Sequence, residues 1–421
     1  MMAGKTLVML PESYPVARLL CEYVFREESS RPDLLILKKQ RAGFERIISE
    51  FAFGKVHEID EDYYGRITKA ESADFLRETM RSPYDVAFFP FNTFRANAFL
   101  FGSLLAKEVK AVNSSLYHKK QLPVVSFRLG EERRLAANTP WAPIMDEVLR
   151  TKDRIVDILK EKGDKFEVSG ERPTFGILHG FAHDLEIFCK YALGALYATD
   201  KRVLDIGGGL GFGSFLLSRF ADKAFFVDRS KDAVRFVEEM WVESAPNLVP
   251  ICGDADALEN GEGSFDCIFL MDVIEHVPDP LDFLNKARRL LKNDGTLIVT
   301  TPEEDYYPYS VCPPERWSDP EEKLIGEAIW PWHIQALGEE KLLPLLKAAS
   351  FEVAEKSYTT YIKGYEFSGD LKEARARGDV ESAIGSLNDL TKWDIRDFGL
   401  TYERDPYFSA ASYNIIARKA A

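Results

Sequence analysis

No run of about 18 apolar residues occurs anywhere in the chain, so no membrane-spanning helix is expected. The apolar run Leu7 to Leu10 stops at Pro11 and is too short for the core of a signal peptide. Cysteine is scarce: Cys21, Cys189, Cys252, Cys267 and Cys312 are odd in number and scattered, and no C-x-x-C occurs. That excludes a disulfide framework and fits a reducing cytoplasm. A positive excess is missing too. The formal net charge is −14. Residues 131–421 alone carry −17, which repels phosphate backbones and argues against nucleic acid as a substrate. No His, Cys and acid cluster has metal-ligand spacing; Glu303-Glu304-Asp305 reads as a solvated turn, and no metal is expected.

The chain has 421 residues and 46% apolar content, enough for two cores. In residues 1–130, strand-like runs (Thr6–Leu10, Leu34–Leu37, Val56–Ile59, Val86–Phe89, Val124–Phe127) alternate with helical patterns (Val16–Phe25, Ala73–Met80, Ala96–Glu108). This alternation predicts a Rossmann-like α/β domain. Glycine is sparse there, and no phosphate loop can be named. Pro11-Glu12-Ser13 and Pro90-Phe91-Asn92-Thr93 follow predicted strands, where such folds bind ligands, although a strand stop and a helix cap explain them more simply. The layout loosely resembles the N-terminal half of two-domain sugar-nucleotide glycosyltransferases. Residues 131–177 are charged and broken by Gly163, Gly170 and Pro173; with an amphipathic helix over Met145 to Lys162 they read as a helical linker. A second helix, Leu178 to Tyr197, carries His179, His183, Lys190 and Tyr191 and leads into the next strand.

The centre of the chain is Val203-Leu204-Asp205-Ile206-Gly207-Gly208-Gly209-Leu210-Gly211-Phe212-Gly213-Ser214: a strand ending in an acid, a glycine turn and a helix start. Glycine lets a ligand approach the backbone, and a helix N-terminus offers unpaired N–H groups. The dinucleotide fingerprint G-x-G-x-x-G does not fit, because its third glycine falls on Phe212 or Ser214. A nicotinamide dehydrogenase is set aside on that spacing. Further on come a strand ending in Asp228, 23 residues after Asp205; a strand ending in Gly253-Asp254-Ala255; the strand Phe265 to Met271; Asp272-Val273-Ile274-Glu275-His276-Val277; and the strand Gly295–Thr301.

In this order the motifs resemble class I S-adenosylmethionine-dependent methyltransferases, similar to those acting on small molecules and glycans. The resemblance covers about 178–358 plus a last strand, Ser412–Ala417. It implies a second Rossmann-like domain over 178–421, with a seven-stranded sheet whose last strand is antiparallel. It implies a cofactor site of Asp205, Gly207, Gly209, Gly211, Asp228, Asp254, Ala255, Met271 and, from the preceding helix, Tyr191. Asp228 would accept the ribose hydroxyls, and Asp254 the adenine amine. Methyl transfer needs alignment and exclusion of water, and a hydroxyl acceptor needs a base; His276 and His333 are the candidates, each with a structural role as the alternative. The aromatic and acidic stretch 303–333 reads as a substrate lid. The insertion 359–411 either closes the acceptor site or mediates dimerisation, which leaves a homo-oligomer open. The expected function is methylation of a small-molecule or glycan acceptor, most simply a sugar hydroxyl. The alternatives are a bifunctional protein whose first domain binds sugar nucleotides, and a non-catalytic cofactor-binding scaffold.

Overall fold

The structure, a computed structural model, describes residues 5–420 apart from 11–13, 29–30, 61–69, 92–101, 103, 114–123, 128–137, 163–181, 303–334, 336, 362–370, 390–393 and 403–408. The lid stretch 303–333 therefore lies outside the described residues, with His333 in it. The chain forms two compact units. The first takes Met1–Leu135 and a later excursion, Ile362–Lys392; the second takes Ala136–Asp305, Pro331–Tyr361 and Trp393–Ala421.

The first unit is a doubly wound sheet. β1 (Thr6–Met9), α1 (Tyr14–Glu27), β2 (Asp33–Leu37), α2 (Glu45–Glu50), β3 (Val56–Ile59), α3 (Ala70–Arg81), β4 (Tyr84–Phe91), β5 (Ala106–Asn113) and β6 (Val124–Phe127) follow one another. Their spatial order is β3-β2-β1-β4-β5-β6, parallel except for β6 against β5. Val8, Leu34, Ile36 and Phe88 close its core against Leu20, Val24 and Ile47 of the helices. One expectation is corrected: the helix predicted over Ala96–Glu108 does not reach its end, because Ala106, Lys107 and Glu108 open β5. Ala, Lys and Glu favour helices locally, but the open edge of β4 supplies a ladder for them from Tyr84↔Ala106 to Phe91↔Asn113, and tertiary pairing overrides propensity.

The second unit begins with α4 (Met145–Lys162) and α5 (Ala182–Ala198). β7 (Arg202–Ile206), α6 (Phe212–Ser218), β8 (Lys223–Asp228), α7 (Lys231–Met240), β9 (Leu248–Cys252), β10 (Phe265–Met271), α8 (Pro280–Leu290) and β11 (Leu291–Pro302) follow. Then come α9 (Glu339–Ala348) and β12 (Phe351–Tyr361); after the excursion into the first unit, whose second helix is α10 (Val380–Asp389), β13 (Phe398–Thr401) and β14 (Ser409–Lys419) complete the sheet. The order is β13-β12-β14-β11-β10-β7-β8-β9. β14 is antiparallel to both neighbours, as expected. The sheet has eight strands rather than seven, because Phe398–Thr401 adds an edge strand on β12. The central strands are buried on both faces, as parallel sheets require, and therefore read as near-continuous apolar runs.

The insertion expected within the second domain is shared out between the units. Residues 371–377 and α10 belong to the first, where Leu371, Ala374, Val380 and Ala383 are buried and Arg77 of α3 pairs with Glu381 at 2.7 Å. That surface ion pair is worth little, and the buried apolar side chains hold the contact. α9 runs through Pro344, which costs it one backbone bond; burial of Leu342 and Leu346 offsets the loss. No described helix is long and apolar enough to cross a membrane.

Phe269 is fully buried in β10, and its ring lies where a Cβ on Gly194 of α5 would come within 2.5 Å. Phe269→Ala should cost about 3–5 kcal/mol in urea unfolding, the range for a buried aromatic; a loss below about 1 kcal/mol would mean that α5 collapses into the space.

Candidate active site

Three loops meet at the C-terminal ends of β7, β8 and β9. Their register sets this: Ile206 pairs Val227, and Asp228 pairs Cys252. Gly207 N–H donates to Val227 O at 2.7 Å, and Gly253 N–H donates to Asp228 O at 3.0 Å. Between β7 and α6, Gly207, Gly209 and Gly211 all have positive φ (73°, 59° and 74°). Side chains rarely adopt that conformation, and space excludes them as well: a Cβ on Gly207 would come within 2.8 Å of Val273, and one on Gly211 within 2.6 Å of Val237. Trp241 steadies the turn from behind, donating from Nε1 to Leu210 O at 2.8 Å while its ring packs on Phe212 and Phe215.

Asp205 lies beneath the turn, 1% exposed. Tyr191 Oη donates to both its oxygens, at 3.1 and 3.2 Å, and Ser214 Oγ donates to Oδ2. Burial pushes its carboxyl up to about 7, although the bonds from Ser214 and Tyr191 pull it down. Asp205 and Tyr191 thus face each other, and both act on the turn from below. Gly213 is the hinge of this arrangement: a Cβ there would lie 2.1 Å from the Tyr191 ring. Tyr191 and Ser214 lie 23 residues apart, so sequence spacing alone did not join them.

Asp228, at the end of β8, is half-buried. Its Oδ2 accepts from Gly209 N–H at 3.2 Å and its Oδ1 from Ser230 N–H at 2.8 Å, so one carboxylate ties the glycine turn to the next loop. Asp254 caps the short turn Ala255–Gly261 through Asp256 N–H at 3.0 Å, and Arg229 reaches its Oδ2 at 3.3 Å. Ala255, just after β9, and Met271, the last residue of β10, are both buried. After Met271 the chain turns at Asp272, a non-glycine residue at φ 51°, and His276 closes a single 3-10 turn, Ile274–His276. Among the described residues, no group of His, Cys, Asp and Glu could hold a metal ion.

Behind that turn sits a feature the sequence did not announce. Lys190 of α5 is 2% exposed, with Nζ 2.6 Å from Asp272 Oδ2 and 3.4 Å from Glu186 Oε1. Burial alone would lower its pKa, but Asp272 and Glu186 outweigh burial and the net shift is upward. Lys190 and Asp272 lie 82 residues apart, beyond any local motif.

Residues 181–356 match the family described as a methyltransferase domain. This stretch is a methyltransferase domain. A ubiquinone biosynthesis O-methyltransferase of Xanthomonas campestris is 33% identical over 112 residues, 26% of this chain and 47% of that protein. One from Coxiella burnetii is 28% identical over 120 residues, 28% and 51% of the two chains. The chain thus spans about half the length of these relatives. Solved S-adenosylmethionine-dependent methyltransferases from Aquifex aeolicus (13% identical, 58% and 96% covered, TM-score 0.37) and Archaeoglobus fulgidus (17%, 56% and 94%, 0.35) are more remote.

The cofactor of such a domain is S-adenosylmethionine, and the residues suit it. The turn holds backbone where a Cβ has no room, and the acids at the ends of β8 and β9 are acceptors for hydroxyl and amine donors.

The pKa of Asp205, near 7 against 3.8 unfolded, carries a sign that can be measured. The folded state holds this proton more tightly, so the contribution of Asp205 to stability is fully present below about pH 4 and is lost as pH rises toward 7. Wild type should therefore lose stability relative to Asp205→Asn by about 1 kcal/mol per pH unit between pH 5 and 7 in urea titrations. Parallel profiles would return Asp205 to the ordinary carboxylate range.

Proposed function

We propose that the chain moves a methyl group from S-adenosylmethionine to a hydroxyl of a small molecule, with a sugar hydroxyl as the specific form. The observation that carries this is the alignment of the glycine turn, Asp228 and Asp254 on three adjacent strand ends, joined by the Asp228–Gly209 and Gly253–Asp228 hydrogen bonds. In this reading the glycine turn holds the cofactor at its backbone, Asp228 takes the ribose hydroxyls and Asp254 the adenine amine. Asp205 and Tyr191 keep the turn in shape. The cofactor supplies an already activated methyl group. What remains for the chain is to align the acceptor oxygen, exclude water and receive its proton. His276, in the turn after β10, is the group proposed to take that proton; an imidazole is suited to the task near neutral pH. His333 is the other candidate, and it lies outside the described residues. The O-methyltransferase names of the relatives support an oxygen acceptor. A sugar rests on the aromatic and acidic composition of 303–333 together with the resemblance of the turn Gly211-Phe212-Gly213-Ser214 to that of glycan methyltransferases.

Calorimetry with S-adenosylmethionine tests the cofactor site. Asp228→Ala should weaken binding about 10- to 100-fold, as expected for losing hydrogen bonds to a charged acceptor. His276→Gln should bind normally and turn over about 100-fold more slowly. An Asp228→Ala protein that binds like the parent would defeat the assignment.

A second reading concerns the first unit. Its order β3-β2-β1-β4-β5 places a switch point between β1 and β4, where doubly wound sheets bind nucleotides. That order favours a bifunctional protein, with a sugar nucleotide at those strand ends. A nucleoside diphosphate sugar should then raise the melting temperature of full-length protein already saturated with S-adenosylmethionine; no further rise would count against it.

A further inference from the structure

Asp272 stands where the chain leaves β10 for the turn that carries His276. Its backbone is left-handed (φ 51°), a conformation that non-glycine residues adopt only under strain, Asp more readily than most. Strain of this kind persists only where surroundings over-determine it, and here they do. Asp272 N–H donates to Thr300 O at 3.1 Å and to Thr300 Oγ1 at 3.0 Å. Thr300 Oγ1, on the neighbouring strand β11 and fully buried, donates back to Asp272 Oδ1 at 2.7 Å. Lys190 holds the other oxygen, Oδ2, at 2.6 Å. With both oxygens engaged, this carboxylate serves as an anchor. The next residue, Val273, carries the consequence forward, since its methyls fill the space against Gly207 that a side chain there would need. One contact path thus runs from Lys190 through Asp272 and Val273 to the cofactor turn, and through the same short segment to His276.

We propose that Lys190 is a positioning residue for methyl transfer: the buried ammonium, acting through Asp272, fixes the turn 272–276 and so sets where the acceptor meets the methyl-bearing face of the site. The proposal rests on the methyltransferase reading for what the turn does. It stands on geometry alone for what holds the turn. Lys190 touches no reacting atom in this scheme. It orients the segment that does, and its charge offsets the carboxylates of Asp272 and Glu186.

The test uses the full-length protein, with Lys190→Met alone and with Lys190→Met combined with Asp272→Asn. The single variant removes the ammonium that Asp272 and Glu186 share. The double variant also removes a charge, and Asn accepts the left-handed backbone readily. Hydrogen exchange of the amides from Asp272 to Val277 is the first readout, because it needs neither cofactor nor acceptor. Lys190→Met should speed exchange there about tenfold or more, and the double variant should return to within about threefold of wild type. Cofactor affinity measured by calorimetry should stay within about threefold of wild type in both, while methyl transfer falls at least about tenfold in the single variant, through kcat rather than cofactor binding, and recovers in the double. Unchanged exchange in Lys190→Met, or no recovery in the double variant, overturns the proposal. So does loss of cofactor binding as deep as that of Asp228→Ala, which would place Lys190 in the cofactor site itself. If wild type bound no S-adenosylmethionine, the methyltransferase reading would fail instead, and the exchange result would still decide whether Lys190 holds the turn.

Discussion

A single buried carboxylate organises the second unit. Asp205 closes β7, lies 1% exposed, and takes hydrogen bonds from Tyr191 on the helix before the strand and Ser214 on the helix after it. A carboxylate buried this deeply is tolerated only when hydrogen-bonded, so the two helices must approach the strand end closely enough to supply the donors. The approach is possible because Gly213 has no side chain where the Tyr191 ring lies. The glycine turn is then the short span left between a fixed strand end and a fixed helix. Three of its residues take positive φ to cover that distance. The turn's shape is thus imposed from below.

The same economy appears at the neighbouring strand ends. Asp228 binds both the glycine turn and the start of the next loop, and Asp254 caps the turn after β9. The two acids each serve structural hydrogen bonds to loop backbone. The structural and the ligand-binding accounts of these residues are therefore compatible: an ionised carboxylate has about four lone-pair sites, and backbone N–H groups occupy only some of them. Substitutions at Asp228 and Asp254 will disturb loop shape, because both carboxylates hold loop backbone.

Much of this was legible in the residues because it is local. The strand that ends at Asp205, the glycines after it, Asp228 at the next strand end and the Gly253-Asp254 turn each announce themselves within a dozen residues, and their order named the fold of the second unit. The helix Met145–Lys162 could be drawn to the residue from its apolar spacing. What escaped was non-local. Lys190 looks like an ordinary helix cation until β10 brings Asp272 to it from 82 residues away. Ala106–Glu108 looks helical until the edge of β4 claims it. Phe398–Thr401 is too short to declare itself as a strand before β12 offers a partner. Nothing in the composition of 371–389 hints that these helices bury their apolar side chains in the first unit and not beside the strands that flank them in sequence.

That last feature reaches beyond the folded state. A ribosome releases the chain from its N-terminus, and domains generally fold as they emerge. Here the first unit is not complete when its own sheet has been made, because Leu371, Ala374, Val380 and Ala383 arrive only after most of the second unit has been synthesised. The apolar surface they cover must wait through more than 200 residues of translation. The second unit, in turn, cannot add β14 to its sheet until the chain has gone to the first unit and come back. The two units are therefore coupled in their assembly, whatever each one binds: a cut after Leu135 would leave the first without Ile362–Lys392, and a cut after Tyr361 would leave the second without β13 and β14.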